Sequence, residues 1–136
     1  MLSRSAIHAV RAVVTLAERP DEFQRAAAIA ERIGAPQNYL GKLLRSLAQE
    51  GVLHSQKGLG GGFQLLRGPD EITLFEVVDP IDHVSRWSGC FFGNPTCNPK
   101  NPCPMHERWA KVRGEYLRML HDITIAEILE GMHIPA

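Results

Sequence analysis

Residues 3–18 place apolar side chains at Ile7, Val10, Val14 and Ala17, spacings of three and four that define one face of an α-helix. Ser3 or Ser5 supplies its N-cap, and Arg19-Pro20-Asp21 ends it, because proline lacks an amide hydrogen. A second, alanine-rich helix is predicted over 24–33 and stopped by Gly34. A third opens at Ala35-Pro36 and runs to about Glu50, with Leu40, Leu43, Leu44 and Leu47 on one face and Gly51 behind it. Two short helices joined by a tight, glycine-containing turn form a helix-turn-helix.

The pattern then changes period. Residues 52–57 and 63–67 are short β-prone runs flanking the tip Gly58-Leu59-Gly60-Gly61-Gly62, which predicts a hairpin, the wing of a winged helix. The glycine run lacks a Gly-Lys-Ser/Thr ending, so it is not read as a phosphate loop. A short helix follows over 72–79, closed by Pro80. Residues 88–104 carry four prolines and two glycines and are expected to be irregular. The longest helix is predicted over 105–121, where Trp109, Val112, Tyr116, Met119 and Ile123 repeat at 3-4-3-4 spacing, a coiled-coil seam, and Leu117 and Leu120 add a second stripe. Thr124 with Glu127 three residues on forms a capping box for a last short helix.

These elements predict a mainly α fold: a winged helix-turn-helix with a two-stranded wing and a long C-terminal dimerisation helix. Residues 1–80 form the DNA-binding domain, whose first helix also contributes to the dimer. Residues 81–104 form a cysteine-rich loop, and 105–136 the dimerisation helix with a short helix packing back. The seam commits the chain to a homodimer through Trp109, Val112, Tyr116, Met119 and Ile123.

Net charge is zero, but its distribution is not even. Residues 1–67 hold nine Lys/Arg against five Asp/Glu, a net +4, and residues 68–136 hold six against ten, a net −4. A basic first half points to double-stranded DNA, and a two-fold dimer to a palindromic operator. The third helix is expected in the major groove. Gln37, Asn38 and Tyr39 lie at its N-terminal end to read bases, and Lys42 and Arg45 further along to hold phosphates. Arg25 is another phosphate candidate, and the wing brings Lys57, with Gly60 and Gly61, to the minor groove. No apolar run resembles a signal peptide or a membrane span, so a cytoplasmic location is expected.

The three cysteines follow the pattern Cys90-x6-Cys97-x5-Cys103-x2-His106. An odd number in a cytoplasmic chain argues against a disulfide framework. Thiolates are the soft ligands of iron–sulfur clusters, and a cluster takes a fourth ligand. His106 lies where it and Cys103 face one site. Three thiols and a histidine also describe a zinc site, although the spacings are wider than in zinc knuckles. Phe91 and Phe92 are expected to shield the site from water.

The order of these motifs resembles the Rrf-two family of winged-helix iron–sulfur transcription regulators. The resemblance runs over nearly the whole chain: Leu2-Ser3, His8-Ala9-Val10 and Leu16-Ala17 in the first helix; Tyr39-Leu40; Gly51-Val52-Leu53; the wing from Lys57 to Phe63; Glu71-Ile72-Thr73-Leu74; and Thr124-Ile125-Ala126-Glu127. Family wings usually carry Arg where this chain has Lys57, and a family aromatic position is His8 here. The resemblance implies a cluster on Cys90, Cys97 and Cys103, 2Fe–2S ahead of 4Fe–4S, with His106 as fourth ligand. In other members an acidic residue of the partner's first helix ligates. That position is Ile7 here, with His8 beside it as the alternative, and an exogenous ligand stays open. The function implied is a DNA-binding repressor sensing redox state, nitric oxide or iron–sulfur status. The alternatives are a regulator with a zinc or thiol-based site and, from another class, a cluster-carrying redox protein. No nucleophile–base pair or cofactor loop is present, so catalysis is not expected.

Overall fold

The structure, a computed structural model, describes residues 2–87 and 89–131. Met1, Ser88 and residues 132–136, which fall in the expected segments 1–80, 81–104 and 105–136, lie outside the described residues.

Helix α1 spans Arg4–Glu18 and starts on Ser3, whose hydroxyl accepts from the Ala6 amide. Ser3 is fixed in turn by Asp82, whose carboxylate accepts from both its amide and its hydroxyl. Helices α2 (Ala26–Ile33) and α3 (Gln37–Gln49) are joined at Gly34, which takes the left-handed φ of +73° that closes α2. Strands β1 (Leu53–Gln56) and β2 (Gly62–Leu65) pair antiparallel, Leu53 opposite Leu65 and Gln56 opposite Gly62. Helices α4 (Leu74–Asp82), α5 (His106–Asp122) and α6 (Ile125–Gly131) complete the chain. This is a mainly helical winged helix-turn-helix. No described helix is long and apolar enough to cross a membrane.

Most of the predicted faces form the core: Val10, Val14 and Ala17 of α1 are buried, whereas Ile7 of the same face is 38% exposed and Leu43 of α3 is half-buried. Leu16 of α1, Ile29 of α2 and Leu40, Leu44 and Leu47 of α3 are fully buried. Each contributes about 1.5–3 kcal/mol by leaving water. Helix α1 lies at the centre, packed against α2, α3, α4 and α6.

Three local outcomes differ from the sequence expectation. Helix α2 starts at Ala26 rather than Gln24, because Gln24 exchanges two backbone hydrogen bonds of 2.8 Å with Phe63 and adds a third rung to the wing. Pro80 does not end α4; the helix runs through it to Asp82 and closes on His83 at φ +53°, whose amide donates to the Asp79 carbonyl. One proline in the last turns removes a single intrahelical donor and leaves the following residues free to continue. Ile123 lies past the end of α5 in extended conformation. Its carbonyl accepts from Leu74, the Ile125 amide donates to Ile72, and Thr73 bridges Thr124, so a short antiparallel clamp sets the starts of α4 and α6 side by side.

Candidate metal centre and nucleic-acid interface

From Gly89 to Met105 the described residues of the cysteine loop form no helix or strand, yet they are ordered by successive tight turns. The Gly93 amide donates to the Cys90 carbonyl, Cys97 to Asn94, Asn101 to Asn98 and His106 to Cys103, at 2.9–3.2 Å. Asn94 and Asn98 reinforce two turns by accepting from the Thr96 and Lys100 amides at 3.0 and 2.8 Å. Gly93 takes φ +77°, open to a residue without a Cβ. Each cysteine therefore opens or closes a turn, and the folded-back chain brings the sulfurs together.

The three Sγ atoms lie within 4.8 Å of one another, with Cys90 and Cys103 3.6 Å apart. The Cys103 amide donates to Cys97 Sγ at 3.4 Å. His106, the first residue of α5, places Nδ1 3.4 Å from the same sulfur. All three cysteines are half-buried. Amides of Asn94 and Phe92 stabilise the Cys90 thiolate and lower its pKa to about 7, whereas burial pushes Cys103 up. The site thus gathers three soft sulfur donors and one imidazole. The sulfur spacing approaches the edge of about 3.8 Å that a tetrahedral metal with sulfur bonds of 2.3 Å requires.

Aromatic rings border the site. Phe91 meets Trp109 edge-on with centroids 5.5 Å apart, Trp109 lies 6.0 Å from Trp87, and Trp87 stacks on Tyr116 at 5.4 Å and 16°. Phe92 meets the ring of Phe91 and is 66% exposed, whereas Phe91, itself 52% exposed, also meets Trp109 in the wall. A cleft of about 380 Å³ lined by Arg86, Trp87, Gly89, Cys90, Phe91 and Trp109 opens beside Cys90. Sequence reasoning missed Trp87: no periodic pattern marks a tryptophan in the turn after α4.

His8 is placed elsewhere within the chain, on α1. Its ring meets Tyr39 edge-on at 5.7 Å, and Nδ1 is buried without a hydrogen-bond partner. Burial, then the charges of Arg11 and Arg4, lowers its pKa. Tyr39 turns its hydroxyl onto Ser5 Oγ, so it ties the start of α3 to α1.

Asn38, Lys42 and Arg45 stand exposed on the side of α3 opposite its buried leucines, and Gln37 is exposed at its first turn. A groove of about 390 Å³ runs between the starts of α2 and α3 and the wing, lined by Arg25, Gln37, Gln56, Lys57 and Gly58 among others. Arg25 also donates from Nη2 to the Gly58 carbonyl at 2.6 Å, which holds the wing tip. Gly60 is exposed at φ +76°, whereas Gly61 is buried against the Gln56 carbonyl.

The five residues of the predicted α5 seam do not share one environment. Trp109 and Tyr116 are half-buried against Trp87 of the same chain, and Ile123 belongs to the clamp. Val112 and Met119 remain 58% and 53% exposed.

This architecture has known counterparts. The model of the Rrf2 family, described as an iron-dependent transcriptional regulator, matches residues 2–131. The chain is 29% identical over 124 residues to the HTH-type transcriptional regulator IscR of Aliivibrio salmonicida, covering 91% of this chain and 67% of that protein. The solved structure of T. potens IscR superposes with a TM-score of 0.78 at 25% identity, over 98% of this chain and 88% of that one. CymR, described as the global cysteine regulator of B. subtilis, shares the fold, with a TM-score of 0.81 at 19% identity over 98% of each chain. The helix-turn-helix, its wing and the loop that follows therefore belong to one family, and the chain is a member of the Rrf2 family of iron-dependent transcriptional regulators.

Proposed function

We propose that this regulator is a homodimeric, DNA-binding repressor whose grip on its operator depends on an iron–sulfur cluster held by Cys90, Cys97, Cys103 and His106. The observation that carries the reading is the convergence of three sulfurs within 4.8 Å, with His106 Nδ1 3.4 Å from one of them. The donor set fits a cluster in kind: soft thiolates, one already near its ionised form at neutral pH, and an imidazole for the remaining position. A bound cluster supplies a centre that responds to oxidants, nitric oxide or iron supply.

The chain's own residues link that centre to DNA. His106 begins α5, so the loop and the helix share a residue. Phe91, Trp109, Trp87 and Tyr116 form a continuous chain of ring contacts from the loop to α5 and the segment after α4. Val112 and Met119, two turns apart on α5, offer the apolar strip for the second subunit. A dimer built there sets the spacing of two α3 helices, which on DNA must match about 34 Å between half-sites. In each half-site Gln37 and Asn38 read base edges, Lys42, Arg45 and Arg25 hold phosphates, and Lys57 enters or borders the minor groove.

A second reading has its own support: sulfurs this close also suit a single tetrahedral ion such as zinc. Anaerobic purification separates the two. Brown protein with iron and acid-labile sulfide supports the cluster, and colourless protein with one zinc per chain overturns it. Loss of iron and sulfide from each of Cys90→Ala, Cys97→Ala and Cys103→Ala is expected, and full retention in one of them removes that residue from the ligand set.

A further inference from the structure

We infer that the metal-free site is a thiol switch that closes a Cys90–Cys103 disulfide and leaves Cys97 as a free thiol. The pairing follows from the direct approach of two of the sulfurs and from the two contacts that hold the third. Cys90 and Cys103 face each other at 3.6 Å with no group between them. A shift of about 1.5 Å brings them to the bond length of a disulfide. Cys97 lies in the same cluster, but its sulfur accepts from the Cys103 amide and meets His106 Nδ1, each at 3.4 Å, whereas Cys90 accepts one amide, that of Phe92 at 3.4 Å, and still directly faces Cys103. Both contacts hold its sulfur in place and would be lost if it turned to bond a neighbour.

Access orders the steps. Cys90 lines the cleft shared with Arg86, Trp87, Gly89, Phe91 and Trp109, and the other two cysteines do not. A hydroperoxide entering there is attacked by the Cys90 thiolate. The S–O bond forms, the O–O bond breaks, and the alkoxide or hydroxide leaves with the electron pair and takes a proton from water to become alcohol or water, giving a Cys90 sulfenic acid. The Cys103 thiol then attacks that sulfur, its S–S bond replaces the S–O bond, and the hydroxyl departs with the thiol proton as water. Two thiols are oxidised and one peroxide is reduced to two hydroxyl-bearing products.

The consequence, which rests on the proposed role of these thiols as metal ligands, is that oxidation blocks loading. The disulfide removes two of three sulfur donors, and a thiol reductant restores them. The pairing itself holds whether the site takes a cluster or a single ion.

Differential alkylation of the full chain tests both parts. The protein is stripped with a chelator without air, treated with hydrogen peroxide, blocked with iodoacetamide, reduced and labelled with N-ethylmaleimide. Trypsin cuts after Arg86, Lys100 and Arg108, which puts Cys103 on 101–108 and Cys90 with Cys97 on 87–100. The maleimide label is expected on Cys90 and Cys103, and the iodoacetamide label on Cys97. Cys97→Ser should oxidise to the same disulfide, and Cys90→Ser should form no intramolecular bond. A disulfide containing Cys97, a bridge between chains, or three free thiols after peroxide overturns the inference. Iron, sulfide and zinc uptake by reduced and oxidised protein is read separately. If the reduced protein takes up none of them, the ligand reading fails while the disulfide map stands. If the oxidised protein loads as well as the reduced one, the proposed block is wrong.

Discussion

Replacing Gly62 by alanine tests whether the wing is set by its seat on the segment before α2. Gly62 sits at φ +132°, and a Cβ there would lie 2.4 Å from the Gln24 carbonyl oxygen and 2.6 Å from its carbon. Both atoms are backbone, so no side-chain rotation relieves the clash. Forcing them apart costs about 1–3 kcal/mol as overpacking does in a core. The backbone conformation adds about 1–3 kcal/mol of strain for a residue with a Cβ. The neighbouring Gln24–Phe63 hydrogen bonds, both 2.8 Å, are the first to give. Gly62→Ala should therefore lower stability by about 4 kcal/mol, a large share of the roughly 5–15 kcal/mol that holds a domain together. Gly60→Ala is the control: φ is +76°, but nothing lies within 4 Å of its Cβ. Its cost is about 1–2 kcal/mol, from the left-handed conformation alone. Urea denaturation followed by circular dichroism measures both, and binding to a labelled duplex should weaken more for Gly62→Ala. Equal losses, or wild-type stability in Gly62→Ala, would refute the reasoning.

Four further outcomes follow from the structure. Alkylation of the metal-free protein by iodoacetamide should be fastest at Cys90, with a rate that rises through a midpoint at about pH 7; a midpoint in the ordinary thiol range would show that the Asn94 and Phe92 amides do not stabilise its thiolate. His8 binds its proton more weakly in the folded chain than its ordinary value of 6.5, so the unfolded chain takes up more protons and stability falls as pH drops through 6.5; His8→Gln should flatten that part of the Tm profile, and parallel curves for the two proteins count against it. Val112→Asp should give monomers in solution scattering, and a wild-type chain that is monomeric at micromolar concentration would end the dimer proposal. Lys42→Ala should weaken all duplexes alike and flatten the salt dependence by about one charge, whereas Asn38→Ala should cost about 1–3 kcal/mol at one base position; equal losses on specific and random DNA would move base reading from α3 to the wing.

Much of this molecule was legible along the chain where local physics decides. Gly34 and the leucines of α3 mark the helix-turn-helix because a left-handed stop and a 3.6-residue period are local properties. The wing was legible for the same reason. The cysteine loop was recognisable by its prolines and thiols, but not the turn-by-turn bonding that draws the sulfurs together. The clamp between 72–74 and 123–125 left no trace, since it joins backbone groups from distant segments and needs no particular side chains. Proline at position 80 misled because its effect depends on how much helix remains after it.

The α5 seam shows where pattern stops informing. Heptad spacing reports which positions of a helix are apolar, and it carries nothing about what covers them. Trp109 and Tyr116 are covered from within the chain by one tryptophan after α4, and Ile123 by the clamp. Only Val112 and Met119 are left uncovered. The division has a physical consequence. The ring contacts along α5 begin at Phe91, next to Cys90, and the exposed strip borders them on the same face, where Val112 lines one pocket with Trp87, Trp109 and Tyr116. A rigid helix cannot shift one edge of that face without the other. Any rearrangement of the cysteine loop that moves Trp109 therefore moves Val112, a single helical turn away, and with it whatever surface that strip packs against.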